Sequence, residues 1–122
     1  MPNELRKPYS ALTSAPASAR SDLAEYLASE GCSDLIPTAV LLVSELVTNA
    51  YLYATGPIVL HAVFTAGILH VEVDDCTRVT RHRNERPGHG RGLHIVNTLA
   101  TASGHRQRKG SGRTSWFELV AQ

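Results

Sequence analysis

Apolar and polar residues alternate from Ile58 to Thr65 and again from Ile68 to Asp75, with only Ala66-Gly67 between the two runs. A period of two marks half-buried strands, and the short gap makes them a hairpin. Two helical patterns precede it. Pro16 to Glu30 carries Leu23, Tyr26 and Leu27 at helical spacing, and Gly31 supplies the stop. Pro37 opens a second helix, where its missing N–H does no harm. This helix is predicted to run to Ala54, with Val40, Val43, Val47, Ala50 and Ala54 as a stripe suited to packing on a sheet. Leu5 to Ser14 reads as an irregular or extended start.

The second half is less regular. Arg78 to Gly88 is a polar loop without periodicity. After the glycine run Gly88 to Gly92, a third helix is predicted to start at Leu93, with Gly104 as its stop. His105 to Lys109 and Thr114 to Val120 read as a second hairpin across Gly110-Ser111-Gly112. The order of elements predicts an α/β fold of the α+β kind, with helices layered on one face of a mixed or antiparallel sheet.

Strand parity singles out one carboxylate. Leu69, Val71 and Val73 share a face with Asp75, whereas His70, Glu72 and Asp74 share the other. A carboxylate on the buried side needs a partner, and the sequence offers no obvious cation for it. Asp74 reads as its solvated neighbour. On the second helix, Glu45 and Asn49 stand four residues apart and therefore on one face. A carboxylate beside an amide offers a proton acceptor and an oxygen ligand for a hard cation. Taken alone, the pair equally fits two exposed residues of an amphipathic helix.

Composition narrows the classes. With 122 residues, 43% apolar and 19% charged, the chain is predicted to be one globular domain over 1–122. No apolar run is expected to reach the roughly 20 residues that span a bilayer. The first residues do not resemble a secretory leader, and Cys32 and Cys76 lack metal-site spacing. Reduced thiols and a cytoplasmic location are the corresponding expectations. The net charge of +1 conceals an asymmetry: nine of the twelve Lys and Arg residues fall between Arg78 and Arg113, where Glu85 is the sole acid. Such a concentration suits an anionic ligand or an acidic partner surface. A basic nucleic-acid-binding domain is disfavoured, because no aromatic residue is interleaved with these charges and no helix-turn-helix pattern accompanies them.

Several local motifs have definite limits. Gly90 and Gly92 lie before a predicted helix, whose free N–H groups and dipole suit phosphate. Their spacing is not that of the dinucleotide fingerprint. Gly110 to Ser115 fails as a P-loop, because Gln107 stands in place of the first glycine and a strand follows. His61 and His70 lie on adjacent strands without a third ligand, and no nucleophile elbow supports Ser-His-Asp chemistry.

Four segments in one order carry a wider resemblance: Glu45-Leu46-Val47-Thr48-Asn49-Ala50, Val71 to Asp75, Gly90-Arg91-Gly92-Leu93-His94-Ile95-Val96 and Gly112-Arg113-Thr114-Ser115-Trp116. Together with Ala19-Arg20, they resemble the GHKL ATPase superfamily of histidine-kinase-like ATPase domains. They are most similar to its small bacterial branch of anti-sigma-factor serine/threonine kinases. The resemblance implies a two-layer α/β sandwich of the Bergerat type that binds ATP and Mg²⁺. It implies Asn49 as the Mg²⁺ ligand, Glu45 as the general base and Asp75 as acceptor for the adenine amino group. Tyr53, Thr77, Gly90, Arg91, Gly92 and Leu93 would join the nucleotide contacts, and Thr114 would help fix the aspartate and adenine. Arg81 to Gly88 would form a short lid. The implied partners are a sigma factor or an anti-sigma antagonist whose serine receives the γ-phosphoryl group, and relatives of that branch often dimerise. The alternative is a catalytically silent ATP-gated binding module.

The chain departs from the superfamily at Asp75-Cys76-Thr77-Arg78-Val79, which lacks both glycines of Asp-x-Gly-x-Gly. It also carries Leu52 where a basic residue is frequent, leaving Arg91 as the nearest compensation.

Overall fold

The computed structural model describes residues 3–53, 56–76, 89–108 and 112–121, with side chains excepted at 53 and 89–93. The elements run β1 (Glu4–Tyr9), α1 (Ala15–Ser29), a 3₁₀ turn (Ser33–Leu35), α2 (Ile36–Tyr53), β2 (Ile58–Thr65), β3 (Ile68–Asp75), α3 (His89–Leu99), β4 (Ala102–Gln107) and β5 (Arg113–Val120). Five strands form one sheet in the order β1-β2-β3-β5-β4, and every neighbouring pair is antiparallel. The fold is therefore α+β, consistent with the GHKL architecture.

Directly opposed residues of an antiparallel pair share a face. One face carries Leu60, Ala62, Leu69, Val71, Val73, Phe117 and Leu119, all buried. Against it lie α1, through Leu23 and Leu27, and α2, through Ala39, Leu42, Val43, Leu46, Val47 and Ala50. α3 packs on α2 and β4, with Val96 reaching the core. Burying each large aliphatic chain contributes about 1.5–3 kcal/mol, which makes this layer the main source of stability.

α2 is broader in apolar content than the predicted stripe. The segment Ser33–Leu52 spans 20 residues at a mean hydropathy of 1.5, long and apolar enough by composition to cross a membrane. This corrects the expectation that no run reaches such a length. The reason is that α2 buries its apolar side against both α1 and the sheet, so two sides of it are apolar.

Local chemistry sets the joints. Gly31, at φ +76°, closes α1: its N–H donates to the Ala28 carbonyl, and the Cys32 N–H donates to the Leu27 carbonyl. This double closure satisfies carbonyls that the helix end leaves open. The hydroxyl of Tyr26 accepts from the Phe64 N–H at 2.8 Å and donates to the Asn3 carbonyl at 2.9 Å, tying α1 to β2 and to the start of β1. Burial foremost raises the pKa of this phenol, so it stays protonated as a donor.

Three predicted boundaries change. The start takes the extended of its two alternatives over Glu4–Tyr9, which pairs with β2 as an edge strand and begins one residue before the predicted Leu5. α3 begins at His89 rather than Leu93, so Gly90 and Gly92 belong to its first turn. It ends at Leu99, and Gly104 lies inside β4 instead of stopping the helix. There a Cβ would meet the Trp116 ring atoms at 3.1–3.2 Å, so Gly104 makes room for the indole.

Candidate functional site

Asp75 ends β3 on the helix-facing side, and only 1% of its side chain is exposed. Its directly opposed residue on β5 is Arg113, whose Nη2 stands 3.9 Å from Asp75 Oδ2. The expectation that no cation serves this carboxylate is thus corrected. Arg113 is distant in sequence, and only the β3–β5 register brings it opposite. A guanidinium opposite a buried carboxylate offsets part of the cost of removing that charge from water.

Asp74 is also more engaged than a solvated neighbour. It faces the other side of the sheet, where Thr114 Oγ1 donates to Asp74 Oδ1 at 2.6 Å and Arg108 Nη1 lies 3.5 Å from the same oxygen. Thr114 is fully buried, and the register opposes it to Asp74, so its hydroxyl is tied to Asp74 rather than to Asp75. Arg108 fastens this corner. Its guanidinium donates to the Arg113 carbonyl at 2.8 Å, to Thr114 Oγ1 at 3.2 Å and to the Asp75 carbonyl at 3.2 Å. One arginine thereby holds the backbone of both halves of the Asp75–Arg113 pair. Sequence reasoning missed it, because Arg108 lies just past the end of β4 and nothing local marks its target.

A cleft of about 230 Å³ opens between α2, α3 and the sheet. Leu46 and Asn49 line it from α2, and Val96 and Asn97 from α3. The sheet contributes Ser103 to His105 and Trp116, together with Arg113 and Ser115. Ser103 Oγ donates to Asn97 Oδ1 at 2.8 Å, joining α3 to β4 at the cleft wall. Asn49 and Arg113 therefore border one space, although 64 positions separate them in sequence. Glu45 is half-buried on α2 and is not among the lining residues. Beside it, Ser44 Oγ accepts from Arg20 Nη1 at 2.9 Å, which couples α1 to this stretch of α2.

Of the remaining predicted contacts, Gly90 and Arg91 lie among the opening residues of α3, whose N–H groups lack intrahelical partners, and Gly92 and Leu93 follow them along the helix. Thr77 and the lid segment 81–88 lie outside the described residues, as does the side chain of Tyr53. Among the described residues, no group of three or more His, Cys, Asp or Glu side chains could hold a metal.

An antiparallel sheet under helices, with a cleft lined by an amide from the central helix and by the arginine that pairs with a buried aspartate, defines an α+β domain with a candidate ligand site between its layers. The model of the histidine kinase-like ATPase domain family matches residues 9–117, from the end of β1 into β5. The chain belongs to that family, which indicates ATP as its ligand. No curated protein matches the sequence.

The residues present fit such a ligand. Arg113 borders the cleft with its side chain 26% exposed, and its buried Nε has no hydrogen-bond partner among the described residues, so the guanidinium has donor capacity to spare. Asn49 adds an amide oxygen suited to a hard cation.

Proposed function

We propose that this domain is an ATP-dependent serine/threonine protein kinase of the anti-sigma-factor type, acting on a serine of a partner antagonist protein. The observation that carries the nucleotide reading is that Asn49 and Arg113, the latter paired with buried Asp75, border one cleft. Asp75 accepts from the adenine amino group, and Thr114 supports this corner through its bond to the adjacent Asp74. The open N–H groups of Gly90 and Arg91 face phosphate as donors at a helix start, and Gly92 lets the backbone approach it closely. The Asn49 amide oxygen would hold Mg²⁺, which would supply positive charge to offset that on the phosphoryl oxygens. Glu45, four residues before Asn49, accepts the proton of the partner's serine hydroxyl. Thr77 and Tyr53 complete the nucleotide contacts.

The sigma factor or its antagonist is the expected partner. The concentration of Arg and Lys between Arg78 and Arg113 supports an acidic partner surface as well as a phosphate ligand. A cytoplasmic location follows from that role.

A second reading is a catalytically silent module in which ATP gates partner binding. The observation favouring it is that Glu45 does not line the cleft. Incubation with γ-labelled ATP and candidate antagonists separates the two. Transfer to a partner serine that is lost in Glu45→Ala, with ATP binding retained, supports the kinase. Saturable binding without transfer supports the module. The site itself is tested by ATP titration with and without Mg²⁺. Asn49→Ala is expected to abolish most of the Mg²⁺ enhancement, and Asp75→Asn to weaken binding at least tenfold. Unchanged affinity in both variants would overturn the site assignment.

A further inference from the structure

Arg113 is placed to do more than neutralise Asp75. The two residues are direct cross-strand partners on the helix-facing side of the sheet, so an acceptor and a donor stand side by side, 3.9 Å apart, near the cleft. That separation is longer than a hydrogen bond, so the Nη2–Oδ2 contact is a charge pairing that leaves the guanidinium donor capacity. Its Nε is buried without a hydrogen-bond partner among the described residues, and the cleft is the space the residue borders. Its backbone is fixed, because the Arg113 carbonyl accepts from Arg108 and the Thr114 hydroxyl next along is held by Asp74.

Adenine presents on its pairing edge an amino donor at C6 and, next to it, a ring acceptor at N1. Guanine presents the reverse, a carbonyl acceptor at C6 and an N1–H donor. Asp75 supplies only acceptors and Arg113 only donors. Resting on the reading of Asp75 as the adenine acceptor, we propose that Arg113 is a specificity-determining residue that donates to adenine N1, so that the Asp75–Arg113 pair reads both positions of the base edge. Guanine then meets two mismatches, carbonyl against carboxylate and N–H against guanidinium. A site built to satisfy one pattern rejects the other strongly, because its own polar groups are left unpaired.

The test uses equilibrium binding of ATP, GTP and 1-deaza-ATP, in which ring N1 is replaced by C–H, to the full chain and to Arg113→Met. The wild-type chain is expected to bind 1-deaza-ATP roughly tenfold or more weakly than ATP, as for a lost hydrogen bond to a charged group. In Arg113→Met the two nucleotides are expected to bind alike, and the preference for ATP over GTP to narrow. If Arg113 served only to balance Asp75, the substitution would weaken ATP and 1-deaza-ATP equally and leave their ratio at the wild-type value, which overturns the inference while leaving the nucleotide site intact. Equal binding of ATP and 1-deaza-ATP by the wild-type chain overturns it without any variant, so the result does not depend on the folding of Arg113→Met. A wild-type chain that binds neither ATP nor 1-deaza-ATP removes the ATP reading and the inference together.

Discussion

Gly112 is buried at the entrance to β5, and the reason it is glycine lies in a neighbour rather than in its own backbone. A Cβ there would run into the Arg108 guanidinium, meeting Nε at 2.8 Å and the other guanidinium atoms more closely. The Arg108 N–H also donates to the Gly112 carbonyl at 2.9 Å, which closes the hairpin beneath the side chain. A methyl at 112 must therefore displace the guanidinium from the Asp75 and Arg113 carbonyls. Gly112→Ala is expected to lose about 1–2 kcal/mol, the scale of the displaced hydrogen bonds. Arg108→Ala should lose a similar amount. In the double variant the methyl no longer has a guanidinium to displace, so chemical denaturation should give a total well below the sum of the two. Strict additivity would contradict the clamp. This relation was not legible in the sequence, where Gly110-Ser111-Gly112 reads only as a turn, because a glycine's neighbour across a hairpin depends on a register that composition does not encode.

Among the elements, the β2–β3 hairpin was the most legible, since its alternation sets both strands and the side of Asp75 without reference to the rest of the chain. β1 and β4 were less so. Six-residue edge strands carry little pattern of their own, and Gly104, which seats Trp116 inside β4, imitates a helix stop. The glycines of α3 misled in the same way: glycine weakens a helix by about 1 kcal/mol, yet tertiary packing of residues such as Val96 overrides that preference. The hairpin turn itself holds a strain the pattern did not reveal. Ala66 and Gly67 both have positive φ, +53° and +78°. Two-residue hairpins of this kind favour Asn before Gly, because the short amide side chain tolerates the left-handed region that alanine disfavours. Ala66→Asn is expected to stabilise the fold by roughly 0.5–1 kcal/mol, read as a rise in Tm of a few degrees. A lower Tm would show that the backbone at 66 carries no such strain.

Across the whole molecule the two sheet faces divide the work. The helix-facing side holds the core and the Asp75–Arg113 pair, whereas the other side carries polar pairs drawn from all five strands. Glu72 Oε2 stands 2.8 Å from His70 Nε2 and 3.5 Å from Arg106 Nη2. His70 Nδ1 lies 2.8 Å from Glu118 Oε2, its ring stacks on Trp116 at 5.6 Å, and His61 on β2 pairs with Glu4 at 2.9 Å. Burial pushes the Glu72 carboxyl up, but the hydrogen bond with His70 and the charges of Arg106, His70 and His61 outweigh it, holding the group below its ordinary 4.5. A carboxylate whose folded pKa is depressed adds stability above its unfolded value and loses it as pH falls through the folded one. Urea unfolding of the wild type and of Glu72→Gln should therefore differ most from neutrality down to about pH 5. The gap should close as pH drops below 4.5 and through the lower folded value, since both chains then present an uncharged group at position 72. A gap of the same size at pH 3 and pH 7 would assign the loss to packing at 72 rather than to charge.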